Sequence, residues 1–181
     1  FHGGDMMAES GGCRPLIHYS RMAFMGFSEG LRHLPEVLGN LRQAKDMIDR
    51  AAPDALILVD YPSFNLKLAA YAHAKGIPVY YFISPKVWAW KEYRVRQIRR
   101  YVRRVFCILP FEVGFYKKRH DYNVDYVGNP SVAEVARAIA QMPARDRFAD
   151  DCALDAEKRW IALVPGSRKG EIRNNLPIML Q

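Results

Sequence analysis

The sequence predicts an α/β fold built on a doubly wound parallel sheet, followed by the start of a second domain of the same kind. Short apolar runs of strand length alternate along the chain with stretches of helical periodicity, and this alternation is typical of parallel sheets covered by helices. Half of the 181 residues are apolar, which suits a packed core and argues against disorder.

Four apolar runs in the first 130 residues are predicted to be the strands of the first sheet. They comprise residues 55–59, 79–83, 105–109 and 124–127. The first run is aliphatic and partly β-branched, so we expect it to be buried on both faces. Pro110 follows the third run, and a Gly-Asn-Pro sequence follows the fourth.

The segments between these runs have the periodicity of helices. We predict a helix over 64–75, ended by Gly76, another over 91–102, and a shorter one over 111–119. The second of these has an apolar face, as amphipathic helices that cover a sheet do. That face comprises Val95, Ile98 and Val102.

The apolar residues between positions 22 and 48 follow two different patterns. From Pro35, which can open a helix, the pattern is that of an amphipathic helix with Val37, Leu38, Leu41, Ala44 and Ile48 on one face. Before it, large apolar residues alternate irregularly with glycine and polar residues, which suits contact with acyl chains or with a membrane interface. The candidates for that contact are Met22, Phe24, Met25, Phe27, Leu31 and Leu34.

The composition changes after residue 130, and this change predicts a domain boundary. We assign residues 1–130 to a first domain, 131–158 to a connector with helices on either side of Pro143, and 159–181 to the first βα unit of a second domain. Within that unit residues 160–164 are predicted to form a buried strand, with a helix beginning near Gly170.

Charge and cysteine content narrow the classes of function. The net charge of +8 favours an anionic partner such as a phosphate group, a nucleotide, a nucleic acid or an acidic membrane surface, although many basic domains bind no such partner. Three cysteines without a Cys-x-x-Cys pair predict neither a disulfide framework nor a zinc site. The sequence predicts no metal site, no signal peptide and no membrane span. We expect that Phe1 is not a native start and that the chain is a fragment.

Polar side chains follow the predicted strands, at the edge where parallel sheets bind their ligands. Asp60 follows the first strand and could be a general base. The alternative is that Asp60 caps the next helix, although Ser63 is the nearer candidate for that cap. The corresponding residues after the other strands are Ser84, Glu112 and Asn129.

Aromatic and basic side chains follow the second strand. Trp88 and Trp90 lie in a loop, where they either pack on the sheet or bind sugar rings or apolar chains. The next segment, 91–104, contains seven Lys or Arg residues and one Glu. A solvated helix face, contact with phosphate or anionic lipid, and nucleic acid binding are the three interpretations, and no nucleic acid binding motif supports the last.

The sequence Pro-Gly-Ser-Arg at 165–168 predicts a phosphate-binding turn. Backbone N–H groups at Gly166 and Ser167 can approach a phosphate at the start of a helix, and Arg168 can bind two of its oxygens. The turn lacks the Gly-Lys-Ser/Thr ending of a Walker P-loop, and it is not a Gly-x-Gly-x-x-Gly dinucleotide motif.

Taken in order, these segments resemble the lipid-A-disaccharide synthase family. The matching segments are Val-Asp-Tyr-Pro-Ser-Phe-Asn at 59–65, Ser-Pro-Lys-Val-Trp-Ala-Trp at 84–90, Leu-Pro-Phe-Glu at 109–112, Val-Gly-Asn-Pro at 127–130 and Val-Pro-Gly-Ser-Arg at 164–168, with looser matches at 3–7 and 25–29. Asn129 departs from the family, in which His is the expected residue. The family's opening strand would precede Phe1, and most of its nucleotide-binding domain would follow Gln181.

The resemblance implies a GT-B fold with two Rossmann-like domains, the first lacking its opening βα unit here. It implies that 2,3-diacylglucosamine is transferred, with inversion and without metal or cofactor, from its UDP derivative to 2,3-diacylglucosamine 1-phosphate. The location implied is the cytoplasmic face of the inner membrane of a Gram-negative bacterium, on an anionic surface. Asp60 would be the base and Arg168 would face the diphosphate. The substrate-binding residues implied are Asn65, Ser84, Trp88, Trp90, Glu112, Asn129, Gly166, Ser167 and Glu171.

Two other classes of function remain as alternatives. One is another UDP-sugar-dependent GT-B enzyme of cell-envelope synthesis, which would share the Gly-Asn-Pro turn; the irregular apolar stretch before Leu34 and the paired tryptophans speak against it. The other is a basic module that binds nucleic acid, which gives no reason for Asp60 and the turn at 165–168 to follow strands.

Overall fold

The computed structural model describes residues 2–3, 9, 17–18, 34–167 and 169–181. The chain divides into two compact units, Phe1–Pro130 and Ser131–Gln181. Each unit is described by itself below.

The first unit contains a parallel sheet flanked by helices, which confirms the α/β prediction. Its elements are β1 (His2–Gly3), β2 (Ile17–His18), α1 (Leu34–Ala51), β3 (Leu56–Val59), α2 (Pro62–Ala74), β4 (Val79–Phe82), a 3₁₀ helix (Glu92–Arg94), α3 (Val95–Tyr101), β5 (Arg104–Cys107), α4 (Pro110–His120) and β6 (Asp125–Tyr126). The short strands β1 and β2 pair in parallel, and a separate four-stranded parallel sheet has the order β3-β4-β5-β6.

One face of the four-stranded sheet forms the core of this unit. Leu58, Tyr81 and Val105 lie side by side in register on that face and are at most 4% exposed. They pack with buried residues of the helices, including Ala69 of α2 and Ile98 of α3. Consecutive strands joined by right-handed crossovers place their helices on the same face of a sheet, so α2, α3 and α4 all cover this one.

The other face of the sheet is less covered, and the prediction that the first strand is buried on both faces is wrong at one position. Ile57 is 68% exposed, and its neighbour in register, Tyr80, is partly exposed. The crossover helices lie on the opposite face and do not reach these side chains.

Helix α1 presents most of its expected apolar face to the core. Leu41, Ala44 and Ile48 are buried, and Val37 packs against them as a partly buried residue. Leu38 differs from the expectation because it is 49% exposed. It lies at the edge of the apolar stripe, about 100° around the helix from Val37.

Helix α2 ends in a Schellman motif, as the glycine after it predicts. Gly76 has φ of +75°, and its N–H donates to His73 O at 3.0 Å, while the N–H of Ile77 donates to Ala72 O at 3.0 Å. These are the two hydrogen bonds that satisfy carbonyls of the last turn in this motif.

The third and fourth predicted strands are shorter in the structure than in the sequence-based prediction. Strand β5 ends at Cys107 because Leu109 is already the N-cap of α4, with Pro110 in its first turn. A proline fits the first turn of a helix, where its missing N–H has no partner in any case. Strand β6 comprises two residues.

The second unit is helical in its described residues. Helix α5 (Pro130–Ala140) begins at the last residue of the first unit, and α6 (Arg145–Asp151) and α7 (Lys169–Met179) follow. The strand predicted over 160–164 is wrong, since these residues have no regular structure and Ile161 is 88% exposed. A parallel strand needs a neighbour for its N–H and C=O groups, and the described residues of this unit provide none.

None of the helices in the described part of the chain combines the length and the apolar composition that crossing a bilayer requires.

We predict that the same substitution at two glycines has opposite effects on stability. Gly76→Ala should lower the free energy of unfolding by about 1 kcal/mol, because an alanine is strained in the left-handed conformation. Gly39→Ala should raise it by about 0.5–1 kcal/mol, because Gly39 lies inside α1 with open space around the added methyl group. Urea unfolding followed by circular dichroism measures both, and destabilisation of equal size at both positions would contradict this account.

Candidate active site

Asp60 lies in the tight turn between β3 and α2, at the carboxyl edge of the sheet. Its N–H donates to Phe82 O at 3.0 Å, which continues the β3–β4 ladder by one residue. Asp60 and Tyr61 then both adopt left-handed backbone conformations, with φ of 47° and 45°. Two consecutive residues other than glycine in this region cost free energy that the surrounding structure must offset.

Two hydrogen bonds to the carbonyl oxygen of Asp60 hold this turn. The Asn65 side-chain amide donates to Asp60 O at 2.7 Å and also to Val59 O at 3.0 Å. The Tyr81 hydroxyl donates to the same Asp60 oxygen. Asn65, predicted to bind substrate, therefore supports the turn with its amide nitrogen, and a direct contact of Asn65 with substrate stays a prediction.

The carboxylate of Asp60 takes no part in this support. Asp60 is exposed, and within the described ranges its carboxylate makes no hydrogen bond or ion pair. It does not cap α2, since the N-cap residue is Tyr61 and no side chain caps that helix. The expectation that Ser63 is the cap is wrong: Ser63 is inside the first turn because Pro62 begins the helix, and its hydroxyl accepts a hydrogen bond from Arg94.

Tyr81 is a residue of this site that the sequence analysis did not single out. Its ring is fully buried on the core face of β4, and burial raises the pKa of its hydroxyl, as does the charge of the nearby Asp60. The hydroxyl therefore remains a proton donor to the Asp60 carbonyl at physiological pH. The signal that could have found it is the alternation of β4, which places Tyr81 on the same face as the buried Val79 and so puts a hydroxyl group on the core face.

Ser84, two residues after the end of β4, is an interior residue of this edge. It is 2% exposed, and its Oγ lies 2.9 Å from the hydroxyl oxygen of Tyr116 on α4. Burial raises the pKa of Tyr116, so this buried pair stays neutral. Ser84 links β4 to α4, and its predicted contact with substrate remains untested.

Glu112 and Trp88 form a second connection between α4 and the loop that follows β4. Glu112 is 1% exposed; its carboxylate accepts from the Leu109 N–H at 3.1 Å and from Trp88 Nε1 at 3.2 Å. Burial raises the pKa of Glu112, while these two donors act in the opposite direction. The indole that it holds is 38% exposed and packs edge-on against Phe111, with ring centroids 5.0 Å apart.

Two cationic side chains lie over the ring of Trp90. It is 58% exposed; Lys91 Nζ lies 4.3 Å from the ring centroid and Arg94 Cζ lies 5.7 Å from it. Both distances are within the range of cation–π attraction. The aromatic and basic residues that follow β4 are thus brought together, and Trp88 and Trp90 remain predicted contacts of substrate.

The basic segment 91–104 divides into one buried cation and several exposed ones. Arg94 is 8% exposed. The exposed members include Arg99, which donates to the His120 carbonyl at 3.0 Å, and Arg104, which pairs with Asp125 at 2.9 Å. Arg94 lies four residues before Ile98, on the apolar face of the helix. This position in the sequence distinguishes Arg94 from the exposed basic residues of the segment.

Asn129 lies at the last turn of the first unit. It is partly buried between Gly128, whose φ is +87°, and Pro130, which begins α5. The glycine suits this turn because it adopts positive φ without strain. A contact of Asn129 with substrate stays a prediction.

In the second unit, the turn before α7 is held by side chains of that helix. Gly166 has φ of +119°, and a methyl group added there would lie 2.7 Å from Glu171 Cβ. The Ser167 N–H donates to the Glu171 carboxylate at 3.1 Å, and the Asn175 amide donates to Pro165 O at 2.8 Å. A carboxylate thus contacts one of the N–H groups that we predict to bind phosphate.

Several predicted residues lie outside the described part of the chain. They are Arg168, Met22, Phe24, Met25, Phe27 and Leu31. The backbone of Leu34 begins α1. Among the residues that the structure does describe, no group of three His, Cys, Asp or Glu side chains is placed to bind a metal ion.

Comparisons with known proteins agree on one family. The family model described as lipid-A-disaccharide synthetase matches residues 2–181. Curated lipid-A-disaccharide synthases from Acidobacterium capsulatum, Koribacter versatilis and Nitrosococcus oceani are 42%, 34% and 42% identical to this chain. These alignments cover 98%, 98% and 94% of this chain but 43%, 45% and 43% of the relatives. The chain therefore spans less than half the length of these curated relatives.

We predict that Glu112→Ala destabilises the first unit by about 2–3 kcal/mol, because it leaves the N–H groups of Leu109 and Trp88 without their acceptor. Glu92→Ala is the control: Glu92 makes a surface ion pair with Arg119 and contacts His120, and its loss should cost less than about 1 kcal/mol. Urea unfolding, followed by tryptophan fluorescence, compares the two. Equal costs would mean that the buried contacts of Glu112 contribute no more than a surface pair.

Proposed function

We propose, from the premise that this chain belongs to the lipid-A-disaccharide synthetase family, that it supplies the acceptor side of a lipid glycosyltransferase. The reaction proposed transfers 2,3-diacylglucosamine from its UDP derivative to 2,3-diacylglucosamine 1-phosphate. The observation that carries this proposal is the exposed carboxylate of Asp60, which is unpaired among the described residues, on a turn that two side-chain hydrogen bonds hold.

In the step proposed, Asp60 takes the proton of the acceptor's 6-hydroxyl group. The oxygen attacks the anomeric carbon of the donor sugar, the bond from that carbon to the UDP oxygen breaks, and UDP leaves with the electron pair. The configuration at the anomeric carbon inverts because attack and departure occur on opposite faces. A general base in hydrogen-bond reach of the attacking hydroxyl lowers the barrier to this step.

The environment of Asp60 supports its assignment as this base. In the described residues no cation or donor occupies the carboxylate, so an acceptor hydroxyl does not have to displace an internal partner. Its backbone, by contrast, is fixed on the ladder and by the Asn65 amide. This combination of a fixed backbone with an available side chain favours productive orientation of a reacting group.

We assign the departing diphosphate to the turn before α7. Gly166 and Ser167 would contribute backbone N–H groups, and Arg168 would neutralise the charge that develops on UDP. Glu171 accepts the Ser167 N–H, so a diphosphate oxygen would take over that donor as Glu171 yields it. No metal or cofactor enters this proposal.

The exposed aromatic residues suit the apolar parts of both lipid substrates. Trp88, Phe111 and Trp90 together present three partly exposed rings at one edge of the first unit. We place acyl chains of the acceptor against this surface and against the stretch from Met22 to Leu34. We further propose that the protein acts at the cytoplasmic face of the inner membrane, where its net charge of +8 attracts anionic lipid.

Asp60→Asn in the full-length protein tests the proposed base. We expect kcat for UDP release to fall about 100- to 10,000-fold, since an amide cannot accept the proton, with an unchanged melting temperature. Asp54→Asn, at an exposed position before β3, is the matched control and should leave the rate nearly unchanged. A wild-type rate for the Asp60 variant would remove Asp60 as the base. Absence of UDP release by the wild-type protein with both substrates would refute the function.

A further inference from the structure

One buried cation near Asp60 has no carboxylate partner in the described part of the chain. Arg94 is 8% exposed, and its Nη2 donates to the Ser63 hydroxyl at 2.9 Å. None of the ion pairs among the described residues includes it. A buried guanidinium is costly unless an anion or several acceptors compensate it, and one hydroxyl satisfies one of its five N–H groups.

The guanidinium nonetheless faces an opening. No nitrogen of the Arg94 side chain is both shielded from solvent and without a hydrogen-bond partner. The N–H groups that Ser63 leaves unused can therefore be reached from solvent. The ring of Trp90, which is 58% exposed, lies beside the guanidinium, with its centroid 5.7 Å from Arg94 Cζ.

The charge around this opening is positive. Lys91 lies over the same Trp90 ring as Arg94. The acidic residue between them in sequence, Glu92, is directed elsewhere: its carboxylate contacts Arg119 at 2.8 Å and His120 at 3.0 Å. Two cations thus lie against one ring, and neither of them takes part in an ion pair among the described residues.

The opening is adjacent to the proposed base. Ser63 lies in the first turn of α2, three residues after Asp60. The Tyr81 hydroxyl, which donates to the Asp60 carbonyl, is close enough to Arg94 to be influenced by the charges of both residues. The base and the buried cation therefore occupy the same edge of the sheet.

We propose that Arg94, with Ser63 and Lys91, binds a phosphate monoester, and that under the proposed function this group is the 1-phosphate of the acceptor sugar. A guanidinium presents paired N–H donors that match two phosphate oxygens. Lys91 adds a second positive charge for the dianion. With the phosphate anchored there, the ring of the acceptor extends toward Asp60 and presents its 6-hydroxyl group.

A kinetic comparison in the full-length protein tests this assignment. Arg94→Gln should raise KM for the phosphorylated acceptor about 10- to 100-fold, the range expected for lost charge-assisted hydrogen bonds, and should leave KM for the UDP-sugar unchanged. With an acceptor that lacks the 1-phosphate, the variant and the wild type should perform alike. Arg94→Lys, which keeps the charge but not the paired donors, should have an intermediate KM. Arg96→Gln, at an exposed position on α3, is the control.

Two kinetic outcomes would overturn the proposal. An equal loss of rate with the phosphorylated and the unphosphorylated acceptor would mean that Arg94 only supports the fold, and an unchanged KM would mean that it does not contact the phosphate. If Arg94→Gln does not fold, as judged by circular dichroism, Arg94→Lys and Ser63→Ala carry the same test, because each keeps part of the local packing.

A binding measurement separates this proposal from the proposed function. Calorimetry of the full-length protein can compare glucosamine 1-phosphate, glucosamine, inorganic phosphate and phosphatidylglycerol vesicles as ligands. Glucosamine 1-phosphate should bind, and Arg94→Gln should weaken that binding at least about tenfold. If that binding persists in a protein that releases no UDP, the phosphate site stands and the proposed function fails. If Arg94→Gln weakens only vesicle binding, the site belongs to a membrane lipid and the sugar phosphate is excluded.

Discussion

The carbonyl oxygen of Asp60 accepts hydrogen bonds from two side chains, and the position of the proposed base depends on them. Asp60 and Tyr61 both have positive φ, a conformation that costs about 1 kcal/mol or more for each such residue. The Asn65 amide and the buried Tyr81 hydroxyl compensate for this cost. The chain can thus reverse within two residues from β3 into α2, and the exposed Asp60 side chain lies at the edge of the sheet.

Along the rest of this edge, the buried polar groups form hydrogen bonds within the protein, whereas the groups that react or bind remain exposed to solvent. Ser84 meets Tyr116, and Glu112 meets Trp88 and the backbone of Leu109, all as buried or partly buried pairs. These contacts tie the loop after β4 to α4. They hold the partly exposed ring of Trp88 in place and do not involve the carboxylate of Asp60.

The sequence predicted the elements of the first unit well because their signals are local. The glycine that ends α2 and the apolar faces of α1 and α3 follow from spacing alone. The exposure of Ile57 does not follow from spacing, because it depends on which face of the sheet the crossover helices cover. The strand at 160–164 was predicted from composition, yet a strand forms only where a neighbour pairs with it.

The sequence predicted where the candidate site lies, but it did not predict which residues support the site and which cation is buried in it. Asp60 was found from its place after a strand, and the family resemblance was confirmed by the match over residues 2–181. The support by Tyr81 was missed because it joins residues 21 positions apart. Arg94 was counted with its exposed neighbours, since only tertiary packing distinguishes a buried arginine in a basic segment.

The most direct test of this account is a double-mutant cycle on kcat in the full-length protein, with Tyr81→Phe made in the wild type and in the Asp60→Asn background. If the Tyr81 hydroxyl acts by positioning Asp60, its removal should lower kcat about tenfold in the wild type and have almost no further effect once the carboxylate is gone, because the two residues then act as one unit. Single-turnover measurements make the residual rates accessible. Equal effects of Tyr81→Phe in both backgrounds would contradict the account, since the hydroxyl would then contribute independently of Asp60.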